Sequence, residues 1–190
     1  PSAVALREIN RSNCKIAVSI RGYDITTNLE THPGFYRSVF REGDLFLPVC
    51  EFLKDRLIQE GCEEKKIVVH YSGIDCSKFN YVQRHRVLGE PVKVLTIARL
   101  VEKKGVAFAI EAVSRLVSEG EQIEYTVVGD GMLRKSLQQL IEDMRIEGQV
   151  RLVGAKTHEE VKELLVQSHV LLAPSLMAGS GYREGIANVL

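Results

Sequence analysis

From Val92 to Ala173 the hydrophobic positions alternate between two spacings. Short, mostly apolar runs rich in Val, Ile and Leu predict strands buried on both faces over Val92–Ala98, Ile123–Val128, Val150–Val153 and His169–Ala173. Between them, apolar residues recur every three or four positions and predict helices. One helix runs through Val106, Ile110, Val113 and Leu116 and is closed by Gly120; a second carries Leu133, Leu137, Leu140 and Ile141. The third opens at Thr157, with Glu160 three residues on in the capping-box arrangement, and runs to about Gln167. Strands alternating with helices of this length predict parallel βαβ units with right-handed crossovers, hence a doubly wound α/β sheet.

The same alternation is present upstream in a shorter form. A strand over Cys14–Ile20 ends at the turn-forming group Arg21-Gly22-Tyr23-Asp24, and His32-Pro33-Gly34 breaks the chain before a helix near Phe35–Arg41. Asp44–Pro48 reads as a very short buried strand closed by its proline. Cys50–Glu60, with Phe52, Leu53, Leu57 and Ile58 apolar, reads as a one-faced helix that stops at Gly61, and Ile67–His70 as the next strand. Beyond the turn Gly73-Ile74-Asp75, the polar stretch from Ser77 to Glu90 is the linker. Residues 1–85 are therefore expected to hold the last portion of one Rossmann-like unit with its linker, and residues 86–190 a second such unit.

Composition narrows the class without changing this picture. A chain of 190 residues, 45% hydrophobic and 26% charged, has enough apolar material for a sizeable core in one large or two small domains. With 25 basic and 25 acidic residues there is no global charge that would favour nucleic acid or an anionic membrane. Cys14, Cys50, Cys62 and Cys76 are scattered without metal-ligand or disulfide-framework spacing, so we expect reduced thiols in a cytoplasmic protein. Neither a signal peptide nor an apolar run of membrane-spanning length is present. The chain opens on Pro1 and ends inside an apolar pattern at Leu190, as a piece of something longer would.

Candidate chemistry gathers at the carboxyl ends of the predicted strands. In Val94–Gly105 a strand, a short turn and a helix start bring a strand's carboxyl end to a helix's amino end, where unpaired N–H groups favour an anion. Arg99 leaves the strand into this crevice and Lys104 stands at the helix mouth, a fork and a point charge suited to a diphosphate. The alternative is a solvated loop in which Glu102 balances the cations. Arg21 and Asp24 stand at another such edge, either facing a ligand or forming a local pair. Gly129-Asp130-Gly131 begins like a dinucleotide-binding loop, but Arg134 occupies the place of the third glycine, which disfavours NAD and an oxidoreductase. The Gly/Ser loop after Pro174 ends at Glu184, and Gly185 opens a helix. That carboxylate can hold sugar hydroxyls or simply complement the helix dipole.

Taken together, Arg99-Leu100 with Lys104-Gly105, Val128-Gly129-Asp130-Gly131, Val153-Gly154, Ala173-Pro174-Ser175 and Glu184-Gly185 resemble, in order and spacing, the donor-binding half of the retaining GT-B enzymes called glycosyl transferases group 1. Gly22-Tyr23-Asp24, Phe40–Pro48 and Gly73-Ile74-Asp75 with Phe79 resemble the end of that family's amino-terminal domain, in its colanic-acid or exopolysaccharide type. The resemblance implies a GT-B-like pair of Rossmann-like domains, the first incomplete and the second lacking its carboxyl-terminal end, with a ligand cleft between them. It implies transfer of a sugar, with retention, from a nucleotide-sugar to a glycan or lipid-linked acceptor. Arg99 and Lys104 would grip the diphosphate, and Gly129 would belong to the donor-binding edge. Ala155 and Lys156 would lie near the base, Glu184 at the transferred sugar, and the N–H groups of Gly185, Ile186 and Ala187 toward the donor.

No D-x-D is present, and the family's chemistry needs neither metal nor cofactor beyond the nucleotide-sugar co-substrate. A second glutamate of the family's Glu-x7-Glu motif would fall two positions past Leu190. Where the family often has His facing the sugar, this chain has Arg21, which suits an anionic group such as a uronic-acid carboxylate or an acceptor phosphate. The resemblance further implies peripheral contact with the inner face of the membrane through a more amino-terminal part. Self-association through the sheet edge left by the incomplete first unit is also expected. From another class, Arg21 fits a catalytically silent module that only holds a nucleotide or nucleotide-sugar.

Overall fold

A computed structural model describes residues 13–21, 34–79, 81–85, 87 and 89–176. Its described residues divide between Ile74 and Asp75 into two compact units. The division falls at the start of the polar stretch, upstream of the boundary expected after residue 85, because the linker is tied to the second unit. Arg84 Nε donates to the Val166 carbonyl at 3.1 Å and the Lys162 ammonium sits 5.8 Å from the centre of the Phe79 ring.

The first unit contains β1 (Ala17–Ile20), α1 (Arg37–Glu42), β2 (Leu45–Pro48) and α2 (Glu51–Gln59). β1 and β2 pair in parallel from Ala17 with Leu45 to Ile20 with Pro48. Phe46, Leu57, Ile20, Val39 and Phe40 form the centre of its core. On α2 only Leu53 and Leu57 are buried. Phe52 and Ile58, expected on the same face, are each 37% exposed, since residues four apart lie along the stripe while these two flank it. Two strands are shorter than expected. The segment at 67–70 is a single bridge between Ile67 and Phe46, continued by hydrogen bonds from Val68 N to Phe46 O and from His70 N to Pro48 O. Among the described residues it borders β2 alone, and Val68 is exposed. β1 begins at Ala17, because Ile16 N turns to the Asp44 carboxylate at 2.9 Å. The Cys62 thiol is pushed up to about 11 by burial, a packing group and not a reactive thiol.

The second unit is regular: β3 (Val92–Ile97), α3 (Val106–Ser118), β4 (Ile123–Val128), α4 (Arg134–Asp143), β5 (Val150–Gly154), α5 (His158–Gln167) and β6 (Val170–Leu171). All its strands are parallel, in the order β5-β4-β3-β6. α3 buries Val106, Ala109, Ile110 and Val113, the i, i+3, i+4, i+7 stripe of a one-faced helix. Leu116, expected on that stripe, is 41% exposed, and Val117 packs against the core in its place. Thr157 and Glu160 form the expected capping box at the start of α5. One polar network crosses the core. Thr96 Oγ1 donates to the Leu172 carbonyl at 2.7 Å, so the contact at 2.8 Å from Tyr125 must be donated by the tyrosine hydroxyl. Burial pushes that phenol up to about 12. The relay joins β4, β3 and the residue that follows β6.

Candidate functional site

Chain order builds the sheet outward from β3 through β4 to β5 and then crosses back to lay β6 on the other side of β3. The strand order therefore reverses between β3 and β6. In open α/β sheets ligands are received outside the carboxyl ends of the strands at such a reversal.

Arg99 stands directly after β3 at that point. It is exposed, and its side chain makes no hydrogen bond or ion pair among the described residues. The next residue, Leu100, is fully buried and pins the turn: its N–H donates to the Asp130 carbonyl at 2.9 Å, and its own carbonyl accepts from Leu133 N at 3.1 Å. A buried leucine next to an exposed arginine thus anchors the backbone while the guanidinium stays outside. The chain then makes a single 3₁₀ turn over Glu102–Lys104 and enters α3 through Gly105, whose φ of 63° is left-handed. A Cβ on Gly105 would run into the Pro174 carbonyl oxygen. Leu176 N donates to the Lys103 carbonyl at 2.9 Å, so the turns after β3 and β6 are bonded together across the reversal. Lys104 is half-buried and already has an interaction partner.

The turn after β4 closes on the turn after β3 from the other side. A Cβ on Gly129 would strike the Ala98 carbonyl oxygen and one on Gly131 the Leu100 carbonyl oxygen. These glycines serve backbone approach between two turns, the lesser role expected of the G-x-G start. Gly129 N donates to the Gly154 carbonyl at 2.8 Å, which brings the end of β5 into the same edge. Arg134, in the place of a third glycine, sends its guanidinium to β5, where Nη2 donates to the Leu152 carbonyl at 3.3 Å. Beyond Gly154, Ala155 and Lys156 are exposed. Lys156 Nζ pairs with Glu160 Oε1 at 2.7 Å, and the other carboxylate oxygen of Glu160 accepts from Thr157 N at 2.8 Å. These contacts, the lysine first, hold the Glu160 carboxyl down at about 2.

The structure thus gathers Arg99, Lys104, Gly129, Ala155 and Lys156 along one edge of one sheet. Arg21 is in the other unit, exposed directly after β1. Glu184, Gly185, Ile186 and Ala187 lie outside the described residues, as do Gly22, Tyr23 and Asp24. Among the described residues no group of three or more His, Cys, Asp or Glu could hold a metal, and no helix is long and apolar enough to cross a membrane. Sequence reasoning missed the bond between the β3 and β6 turns and the sideways reach of Arg134. Only the left-handed Gly105 left a sign of the first, as a glycine immediately before a helix.

The family described as glycosyl transferases group 1 matches residues 77–190, well over half of the chain. The amylovoran biosynthesis glycosyltransferase AmsK of Erwinia amylovora is 39% identical over 183 residues, covering 95% of this chain and 45% of AmsK. WcaL of Salmonella typhimurium, named for colanic acid biosynthesis, is 35% identical over 187 residues, covering 97% of this chain and 46% of that one. The chain spans just under half the length of these curated relatives. Among solved structures, HepE (Alr3699) of Anabaena, crystallised in complex with UDP and glucose, superposes with a TM-score of 0.72 at 20% identity over 91% of this chain and 49% of its own. The lipopolysaccharide outer core galactosyltransferase WaaB gives 0.66 at 18% identity over 91% and 46%. Such likeness shows the α/β fold of GT-B glycosyltransferases, and with the match over residues 77–190 the chain belongs to the glycosyl transferases group 1 family.

Proposed function

We propose that this chain is the donor-side part of an enzyme that transfers a sugar from a nucleotide-sugar to a glycan or lipid-linked acceptor with retention of configuration. The observation that carries this is Arg99, exposed and without a partner among the described residues, at the reversal of strand order. The names of AmsK and WcaL support a polysaccharide product, and the UDP complex of HepE supports the donor class. A leaving nucleoside diphosphate gains negative charge in the transition state, and fixed cations with helix N–H groups stabilise it, so Arg99 and Lys104 can do the electrostatic work of a metal. Gly129, Ala155 and Lys156 then border the nucleoside. Glu184 and the N–H groups of Gly185, Ile186 and Ala187 take the sugar, and Arg21 an anionic group of the substrate. We place the complete protein at the cytoplasmic face of the membrane.

Titration of UDP, GDP and ADP against NAD tests the ligand class: one nucleoside diphosphate is expected to bind and NAD not, and preference for NAD would overturn the assignment. Arg99→Ala is expected to weaken that binding by about 1.5–3 kcal/mol, the scale of charge-assisted hydrogen bonds, with nucleoside binding unchanged. Equal losses for both ligands would remove the diphosphate clamp. A second reading, a nucleotide-sugar binder that does not transfer, is favoured by Arg21 alone. Transfer assays on the complete protein decide between them: Arg21→His should lower activity if the guanidinium serves an anionic substrate, whereas activity gained with His would mark decay of the site.

A further inference from the structure

Arg134 opens α4 on the turn after β4, yet its guanidinium belongs to the neighbouring strand. Nη2 is bonded to the Leu152 carbonyl at 3.3 Å, whereas Nη1 is buried without any hydrogen-bond partner. Nη1 lies where it would meet a Cβ on Gly154 at 3.5 Å. No carboxylate pairs with this guanidinium among the described residues. A buried donor without an acceptor is costly, and folded proteins carry few of them. An unbranched apolar side chain would fill the same space without that cost.

The turn nearest Nη1 is the one that Gly154 opens. Gly154 is held from one side by Gly129 N, and the capping box anchors the turn's far end. Between these anchors Ala155 and Lys156 are exposed. Arg99 stands directly after β3, so the turns after β4 and β5 border a diphosphate held there on the side away from β6.

We propose that Arg134 is a positioning residue for the nucleoside half of the donor: anchored on the Leu152 carbonyl, its guanidinium holds the Gly154–Lys156 turn, and its free Nη1 receives an acceptor from that turn when the nucleoside is bound. This rests on the assignment of the edge to a nucleotide-sugar. It also gives the residue that blocks the third-glycine position a role in what binds there instead.

Calorimetric titration of the wild type, Arg134→Met and Arg134→Lys tests it, with two ligands: inorganic pyrophosphate, and whichever of UDP, GDP and ADP the wild type binds most tightly. The wild type is expected to bind the nucleotide more tightly than pyrophosphate. Arg134→Met is expected to lower nucleotide affinity about tenfold, the worth of one hydrogen bond, with pyrophosphate affinity unchanged. Arg134→Lys keeps a donor for Leu152 and should retain part of the difference. Nucleotide affinity unchanged in Arg134→Met, equal losses for both ligands, or a wild type that binds pyrophosphate as tightly as the nucleotide each overturns the role. A wild type that binds none of these ligands overturns the nucleotide-sugar assignment itself. Should thermal unfolding show Arg134→Met not to fold, Arg134→Lys decides alone, a selective loss of nucleotide supporting the role and equal losses overturning it.

Discussion

Thr96 is the buried polar residue on which the centre of the second unit's sheet depends. It accepts from Tyr125 and donates to Leu172, so Thr96→Val leaves a buried phenol without an acceptor and a half-buried carbonyl without this donor. A loss of about 1–3 kcal/mol is expected, against about 0.5–1.5 for Tyr125→Phe, which removes its own polar group and leaves the Thr96–Leu172 bond in place. Denaturant unfolding of both variants checks the order; equal losses would mean that the relay is not directional. Glu160 contributes through a different dependence. Its folded value of about 2 lies below the ordinary 4.5, so its contribution is fully present above about pH 4.5 and is lost as pH falls toward 2. The stability difference between wild type and Glu160→Gln should therefore be constant near neutrality and shrink across that acid window. A difference that grows on acidification would show that the capping box does not depend on the charge.

At the scale of elements, Gly105 ties α3 to the end of β6. Its left-handed backbone alone costs an alanine about 1–2 kcal/mol. The Pro174 carbonyl lies where the new methyl would go, so Gly105→Ala also has to push the β3 and β6 turns apart. Gly61 is left-handed as well, at φ 95°, but a Cβ there meets nothing within 4 Å. Gly61→Ala is thus expected to lose about 1–2 kcal/mol, and Gly105→Ala more than that together with nucleoside diphosphate affinity. Thermal unfolding and titration of the two variants separate backbone strain from displacement of the site. Equal effects would mean that the approach of Pro174 plays no part in shaping the edge.

At the scale of the whole chain, each unit has a hydrophobic core of its own, and in the second it runs from Leu100 through Tyr125 and Ile141 to Val150. The diphosphate and nucleoside groups proposed here all belong to that second unit. A fragment of residues 75–190 is accordingly expected to unfold cooperatively and to bind the preferred nucleoside diphosphate within about threefold of the whole chain, less than 1 kcal/mol. Loss of binding in a folded fragment would mean that the first unit supplies part of the site.

Much of this chain could be read without coordinates because its determinants are local. Apolar runs between Val92 and Leu172 separate strands from helices by period, Thr157 and Glu160 announce a helix start, and Arg99 with Lys104 marks a strand-to-helix turn that suits an anion. The five blocks from Arg99 to Glu184 carried the family for the same reason: their order and spacing are visible along the chain. What required the fold is non-local. Period alone could not tell that Phe52, Ile58 and Leu116 stand off their stripes, nor that among the described residues 67–70 pairs only with β2. Arg134 shows the division within one residue. Its side chain at a glycine's place argued against a dinucleotide from sequence alone. Its bond to Leu152, 18 residues away, and the orphan nitrogen beside Gly154 exist only because β4 and β5 lie side by side.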